Sequence, residues 1–241
     1  MSGWDYMEIY WVKLQAIREE TPEINTYYFE CPPGFDWEAG AHVHLALEGF
    51  NAGEKPNRAL VRHMSISTIV SEGMVGITTR VKADCSEFKA RLRQLAIGEK
   101  VALFKLNHHL VLHRENKRLY FLSSGVGLAS FRPLVLDYLA DTSNIEQLTM
   151  LHVTTQSDAL FTDLLGDATS EQINSRIVYG RNAYYPAVTD LAVDQDGIYY
   201  IVGSDEFLHE TIALLTKEGI SPNQIMIDKH ATRQEAFLTK A

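Results

Sequence analysis

The sequence predicts two domains of different construction, an N-terminal antiparallel β-barrel and a C-terminal α/β doubly wound parallel sheet. Three observations carry this. The first half reads as strands and turns with one helix among them, the second half alternates strand and helix, and the polar run His113-Arg114-Glu115-Asn116-Lys117-Arg118 separates the two patterns. The corresponding domain bounds are 1–114 and 117–241. With 241 residues, 46% of them hydrophobic, the chain is long enough for two cores of roughly 100–130 residues each.

In the first half, strands are predicted at Tyr10–Ile17, Asn25–Glu30, His42–Leu47, Leu60–Ser67, Gly76–Lys82 and Lys100–Phe104. His42–Leu47 alternates polar and apolar side chains at the two-residue period of a strand with one face in a core. Cys31-Pro32-Pro33-Gly34 and Asn51-Ala52-Gly53-Glu54 supply breaks, because proline withholds a ladder N–H and glycine admits turn dihedrals. The helix runs over Glu87–Leu95, with Ser86 as N-cap and Phe88, Leu92 and Leu95 on one face. Six strands joined by short turns fit a small antiparallel barrel.

In the second half, the predicted strands are Leu119–Ser123, Gln147–Val153, Arg176–Tyr179, Ile198–Val202 and Gln224–Asp228, with helices after the first, second and fourth. The helix after the first strand covers Leu128–Leu139. The helix after the fourth has the sharpest ends: Ser204 as N-cap, Asp205 and Glu206 in the first turn where the dipole favours anions, and Gly219 as the stop. Leu208, Ile212 and Leu215 line its apolar face. Apolar strands alternating with helices give a parallel, doubly wound sheet.

Several classes of function are disfavoured at this level. A net charge of −9 argues against a nucleic-acid surface, which needs excess Lys and Arg on one face. The two cysteines, Cys31 and Cys85, are too few for a four-cysteine metal site and read as thiols in a reducing compartment. No apolar run reaches the length of a membrane span, and the first residues lack a signal pattern. The expectation is a cytoplasmic protein with no membrane partner. Adjacent His108 and His109 point to opposite faces of a strand, with no further ligand type at ligand spacing, so no metal site is expected.

Two motifs carry the chemistry. Arg62-His63-Met64-Ser65-Ile66-Ser67 offers a cation and hydroxyls from a strand, and Gly125-Val126-Gly127-Leu128-Ala129-Ser130 offers bare amides where a strand meets a helix. Together they imply two phosphate-bearing ligands. Residue by residue, simpler readings stay open: Arg62 in a strand-end ion pair, Ser65 bonded to its own backbone, Ser86 as a plain N-cap, and the glycines serving only a tight turn.

The order barrel, polar link, doubly wound sheet resembles the ferredoxin–NADP+ reductase superfamily of flavoenzymes over nearly the whole chain. The segments that carry the resemblance are Phe35-Asp36-Trp37-Glu38-Ala39-Gly40, Arg62–Ser67, Arg80-Val81-Lys82, Cys85-Ser86-Glu87-Phe88, Gly98-Glu99-Lys100-Val101, Gly125-Val126-Gly127 and Val202-Gly203-Ser204. By this resemblance, Arg62 meets the flavin pyrophosphate and Ser65 the edge of the flavin ring, with His63 and Met64 in the same motif. Arg80, Val81 and Lys82 lie along an FAD, and the Ser86 helix start holds FAD rather than FMN. Gly125, Val126 and Gly127 meet the pyrophosphate of NADP or NAD, with Val202, Gly203 and Ser204 beside the nicotinamide.

The sequence departs from its relatives at several positions. Met64 stands where most have an aromatic residue, Val202 where many have a cysteine near the hydride-transfer position, Ser130 for a frequent proline, and Ala41 for a frequent glutamine. Phe237 is a candidate flavin-covering aromatic or part of a packed or frayed tail. No carboxylate follows the second strand of the nucleotide domain, only Thr154, Thr155 and Gln156. Arg176 and Arg181 are available to a 2′-phosphate, which leans the donor towards NADPH.

The resemblance implies an FAD-dependent NAD(P)H oxidoreductase that passes hydride to flavin and electrons to an electron-carrier protein or a small redox acceptor. Alternatives are a flavin reductase with flavin as a dissociable substrate, and a non-catalytic flavin-binding electron-transfer or regulatory module. Lys89 and Arg93, four apart on the helix after Ser86, are candidates for a face that docks an acidic carrier, or a solvated helix face.

Overall fold

The structure is a computed structural model that describes residues 8–155, 160–161 and 172–238. The chain forms two compact units, Met1–His108 and His109–Ala241. Among the described residues no helix is long and apolar enough to cross a membrane.

The first unit contains β1 (Tyr10–Thr21), β2 (Ile24–Glu30), β3 (Ala41–Leu47), β4 (Val61–Ser65), β5 (Met74–Arg80) and β6 (Lys100–His108), with helix α1 (Glu87–Gln94) before β6. The strands pair antiparallel in the order β4-β3-β6-β1-β2-β5. Alternate side chains point inwards, so Val12 and Leu14, Val43 and Leu45, Val75 and Ile77 are fully buried in one apolar core. Phe88 and Leu92 of α1 are buried there too.

Strands β4 and β5 stand at opposite ends of this order, yet the chain leaving β4 closes on β5: Ser67 N–H donates to the Gly76 carbonyl at 2.8 Å. A run of oxygens fastens the seam from inside. Glu20 Oε1, Thr26 Oγ1, Thr78 Oγ1, Ser67 Oγ and the Gly76 carbonyl follow one another at 2.7, 2.8, 2.8 and 3.1 Å. Gly76 has no room for a side chain, since a Cβ would lie 2.5 Å from the Thr68 methyl. Strand β4 therefore ends at Ser65, earlier than the sequence pattern suggests, because Ile66 and Ser67 give their N–H groups to Ala41 and Gly76 instead.

The second unit contains β7 (Lys117–Ser124), β8 (Ile145–Thr154), β9 (Ile173–Tyr179), β10 (Ile198–Val202) and β11 (Ile225–Ile227). Its helices are α2 (Leu128–Ala140), α3 (Arg181–Leu191), α4 (Asp205–Lys217) and α5 (Ala231–Leu238). All strand pairs are parallel, in the order β11-β10-β7-β8-β9. The chain winds outwards from β7 through β8 to β9 and then returns to β10, so the winding reverses between β7 and β10. In open α/β sheets, ligands bind outside the carboxyl ends of the strands at such a switch point.

Consecutive β7 residues face opposite ways: Phe121 stacks on Phe131 of α2 at 4.4 Å, while Tyr120 and Leu122 join the core under α3 and α4. The segment before β7 belongs to this unit. His113 N–H donates to the Tyr200 hydroxyl at 2.9 Å, and Arg114 donates to the carbonyls of Asp141 and Ser143.

A helix follows the third strand as well, α3, where the sequence pattern places none. Burial decides in its favour: Tyr184, Ala187 and Val188 pack into the core under the sheet. The helix predicted after the second strand lies outside the described residues. Beyond β11 the chain forms α5, and Phe237 is buried.

Thr78→Val preserves shape and removes the central hydroxyl of the barrel seam. A loss of about 1–2 kcal/mol is expected, the usual net worth of a buried hydrogen bond with a partner left short. A urea midpoint unchanged from the wild type would show that the hydroxyl run does not hold the seam.

Candidate functional site

In the first unit, the anion-binding candidates converge on the start of α1. Arg62 projects from β4, and its Nη1 donates to the carbonyls of Arg58, Ala59 and Val61 at 3.3, 3.2 and 2.7 Å. Its guanidinium carbon stands 5.2 Å from the centre of the Phe88 ring in the first turn of α1. The three bonds all use Nη1, which fixes the fork in place and leaves Nη2 and Nε for a ligand.

Arg80 ends β5. Its Nε is buried with no hydrogen-bond partner among the described residues, and the Glu23 carboxylate is 3.9 Å away. A buried guanidinium N–H without an acceptor is costly and marks a place where an anion fits. Lys89 reaches back from α1 to the Arg80 carbonyl at 2.6 Å. Burial pushes its pKa down, the charges of Arg80 and Arg62 push the same way, and the Cys85 thiol opposes them. Ser86 is extended and its hydroxyl makes no capping bond, so the first-turn amides of α1 are not covered by a side chain.

Other residues of the first unit stand apart from this cradle. Lys82 is exposed, and the Val81 N–H is taken by the Glu23 carbonyl at 2.7 Å. Met64 packs against the barrel core, Ser65 is half-buried opposite His42, and His63 is exposed opposite His44. Lys89 is the functional residue that sequence reasoning misplaced. Helical spacing pairs it with Arg93 on a solvent face, but the end of β5 packs against α1 and takes its ammonium. Arg93 is left exposed, and Arg91 pairs with Glu87 at 2.9 Å.

In the second unit, the glycine turn sits at the end of β7. Gly125 has φ 55°, the left-handed region that favours glycine, and a 3-10 turn over Gly125–Gly127 leads into α2 with no side-chain cap. A Cβ on Gly127 would lie 2.7 Å from the Val202 carbonyl. The turn after β7 therefore rests against the end of β10, on the two sides of the switch point. Gly203 is required for packing, since a Cβ there would meet the Phe207 ring at 2.5 Å. Ser204 caps α4 by accepting from the Phe207 N–H at 3.2 Å. The Val202 side chain is buried and apolar.

Beneath the turn, Ser123 Oγ and His152 Nδ1 lie 2.8 Å apart, both side chains buried. Burial pushes the His152 pKa down to about 4.

The two arginines read from sequence as 2′-phosphate ligands are not brought together. Arg181 opens α3 and is engaged by Glu206 at 3.0 Å and Glu210 at 2.5 Å. Arg176 is opposite Leu151 in mid-strand, three residues short of the carboxyl end of β9. It lines a groove of about 590 Å³ with Arg118, Asn174 and Asp190. Thr154 closes β8, Thr155 follows it, and Gln156 lies outside the described residues.

Phe237 is stacked on His209 at 4.4 Å and buried in the second core, so it is part of a packed tail. His108 has the Glu38 carboxylate at 3.7 Å and His109 packs on the His230 ring. The fold thus places other ligand-type groups near both, which sequence spacing does not reveal.

No protein-family model matches the chain, and no curated protein matches it. Solved structures do. A ferredoxin NADP+ reductase from Neisseria gonorrhoeae with bound FAD and NADP matches with a TM-score of 0.77 at 16% identity, covering 91% of this chain and 98% of that one. The CS-b5R domains of human Ncb5or in the NAD+ form match at 0.75 and 15%, over 92% and 70% of the two chains. A ferredoxin-NADP+ reductase from Plasmodium falciparum matches at 0.72 and 15%, over 91% and 95%. The chain has the two-domain ferredoxin reductase-like fold.

The depressed His152 pKa gives a pH dependence with a definite sign. Below its unfolded value of about 6.5, the unfolded chain binds a proton that the native chain refuses, so stability falls as pH drops from about 6.5 to about 4, by up to about 3 kcal/mol. Urea midpoints measured across this window in wild type and His152→Leu should give a shallower slope in the variant. Equal slopes would remove His152 from the acid response.

Proposed function

We propose that this chain is an FAD-dependent oxidoreductase that takes hydride from a reduced nicotinamide nucleotide and passes electrons to an acceptor. The observation that carries the reading is the cradle of Arg62, Arg80 and Lys89 around the uncapped start of α1, where the buried Arg80 Nε makes no hydrogen bond among the described residues and has only a long, 3.9 Å ion pair with Glu23. Two phosphates satisfy several cations and a helix start together, as a single carboxylate does not. The gonococcal reductase with this fold is solved with FAD and NADP, which supports the same pair of ligands here.

When bound, a flavin supplies an acceptor for the hydride and a donor to the next carrier. The protein's share is binding and orientation. Arg62, Arg80 and Lys89 neutralise the pyrophosphate, and the Ser86 hydroxyl with the Glu87 and Phe88 amides accommodates its oxygens. Ser65 offers a hydroxyl to the ring edge. Gly125, Val126 and Gly127 bring backbone amides and the α2 dipole to the nicotinamide nucleotide, with Gly203 and Ser204 across the switch point. No side chain need act as acid or base in hydride transfer, so positioning is the main contribution.

A second reading, a flavin reductase that releases its flavin, is favoured by one observation: Met64, half-buried against the barrel core, presents no aromatic plane. As for the acceptor, α1 keeps Arg93 exposed, with no carboxylate partner among the described residues, while Lys89 is turned inwards. This favours a small redox acceptor over an acidic carrier docked on that helix. Cys31 and Cys85 are both free thiols, in keeping with a reducing, cytoplasmic setting.

Acid release from the purified protein should yield FAD, and Arg62→Ala should cost about 1.5–3 kcal/mol of flavin binding, the range for a charged hydrogen bond. Released FMN, or an affinity untouched by the substitution, would contradict the assignment. The donor preference follows from the engaged Arg181 and the displaced Arg176: kcat/KM for NADH and NADPH should differ by less than about tenfold. A larger NADPH preference that disappears in Arg181→Gln would return that arginine to the 2′-phosphate.

A further inference from the structure

The groove beside β9 lies wholly in the second unit, on the sheet face that carries α3. Parallel sheets with helices on both faces are ordinarily apolar on both. This face is apolar where Leu122, Leu151, Val153 and Val178 join the core under α3. Towards the amino ends of the strands it turns polar, with Gln147 and Thr149 on β8 and Asn174 and Arg176 on β9. In the parallel register Thr149 is level with Asn174 and Leu151 with Arg176, so these polar side chains form one diagonal row across two strands. Asp190 lines the groove from the helix side.

The side chains of Gln147, Thr149, Asn174, Arg176 and Asp190 make no hydrogen bond or ion pair among the described residues. The end of the groove is different. There the Tyr120 hydroxyl donates to Asp194 at 2.7 Å, and Arg118 lies 3.4 Å from Asp194 and 3.6 Å from Glu146, so charge is balanced within the protein. Arg176 and Asp190 leave one positive and one negative group uncompensated in a recess of about 590 Å³, with two amides and a hydroxyl beside them and Leu151, Ala187 and Leu191 as apolar walls. Few convergent polar groups in a concave, partly apolar setting are the make-up of a ligand site. We propose that this groove binds a small zwitterion, an amino acid or a short peptide, with its carboxylate on Arg176 and its ammonium on Asp190.

A ligand with only a negative charge meets Asp190 as a like charge, and one with only a positive charge meets Arg176; a zwitterion answers both. The guanidinium fork matches a carboxylate with two parallel bonds. Asn174 and Gln147 each carry a donor and an acceptor, as a peptide bond does, and Thr149 supplies either. Arg176 stands three residues short of the carboxyl end of β9, so the ligand would lie away from the switch point and leave the nucleotide's place free. Bound only by the folded chain, it would tie β9 to α3 and stabilise the second unit by mass action. This inference does not depend on the proposed redox activity.

The test is calorimetric titration of the purified full chain with L-glutamine, L-leucine and alanyl-leucine, each up to about 10 mM, with FAD and NADPH either absent or saturating. Saturable one-to-one binding of at least one probe is expected, and which probe binds best separates a free amino acid from a peptide. Acetylating its amine or amidating its carboxylate should each weaken binding by at least about tenfold, as should Arg176→Gln and Asp190→Asn. Both residues are exposed, so these variants test the site without disturbing the core. Lys217→Gln, on α4, should leave binding unchanged. Failure of all the probes, binding that survives either groove variant or either blocked probe, equal weakening in Lys217→Gln, or competition by NADPH would overturn the proposal.

Discussion

Three cations held near one helix start are the constraint on which the first unit turns. Arg62, Arg80 and Lys89 repel one another, and the effect reaches Lys89, whose pKa is lowered by burial and by both guanidinium charges. The fold holds them by other means: Arg62 through backbone carbonyls, Lys89 through the Arg80 carbonyl, and the aliphatic parts by packing. Like charges so arranged store repulsion that an anion relieves, and a diphosphate spans more of them than any carboxylate on the chain. The barrel seam at Ser67 and Gly76 matters for the same reason, since it joins the strand that carries Arg62 to the strand that carries Arg80.

In the proposed reading the second unit would meet the same electrostatic need from its backbone. Its site is backbone: a left-handed Gly125, a 3-10 turn, an uncapped α2 and the close approach of Gly127 to Val202. A side chain at Gly127 would push the turn away from β10 and disturb the switch point where a nucleotide would lie. The Ser123–His152 bond lies under this turn, and His152 stays neutral there through burial. In the proposed reading one ligand would be met by side-chain charge and the other by amides and a helix dipole.

The alternation of strands and helices made both architectures legible, because burial on one face imposes a period of two or 3.6 residues whatever the ligand. Helix α4 was readable to its ends through Ser204 and Gly219, whose capping roles are local. What was not legible depended on contacts distant in sequence. Lys89 turns inwards because the end of β5 meets α1; α3 forms across Pro186 because Tyr184 and Val188 are buried; Arg181 is engaged by Glu206 and Glu210 of the following helix. The polar groove beside β9 belongs to the same class, since parallel register, not spacing, brings Thr149 beside Asn174.

Anaerobic rapid mixing of the FAD-loaded protein with excess NADH or NADPH tests the proposed electron route most directly. If the two half-sites serve one reaction, the absorbance of oxidised flavin disappears in a single turnover and returns when an acceptor is added. If both ligands bind and the oxidised-flavin absorbance persists with either donor, the chain is a binding module and the oxidoreductase reading is wrong.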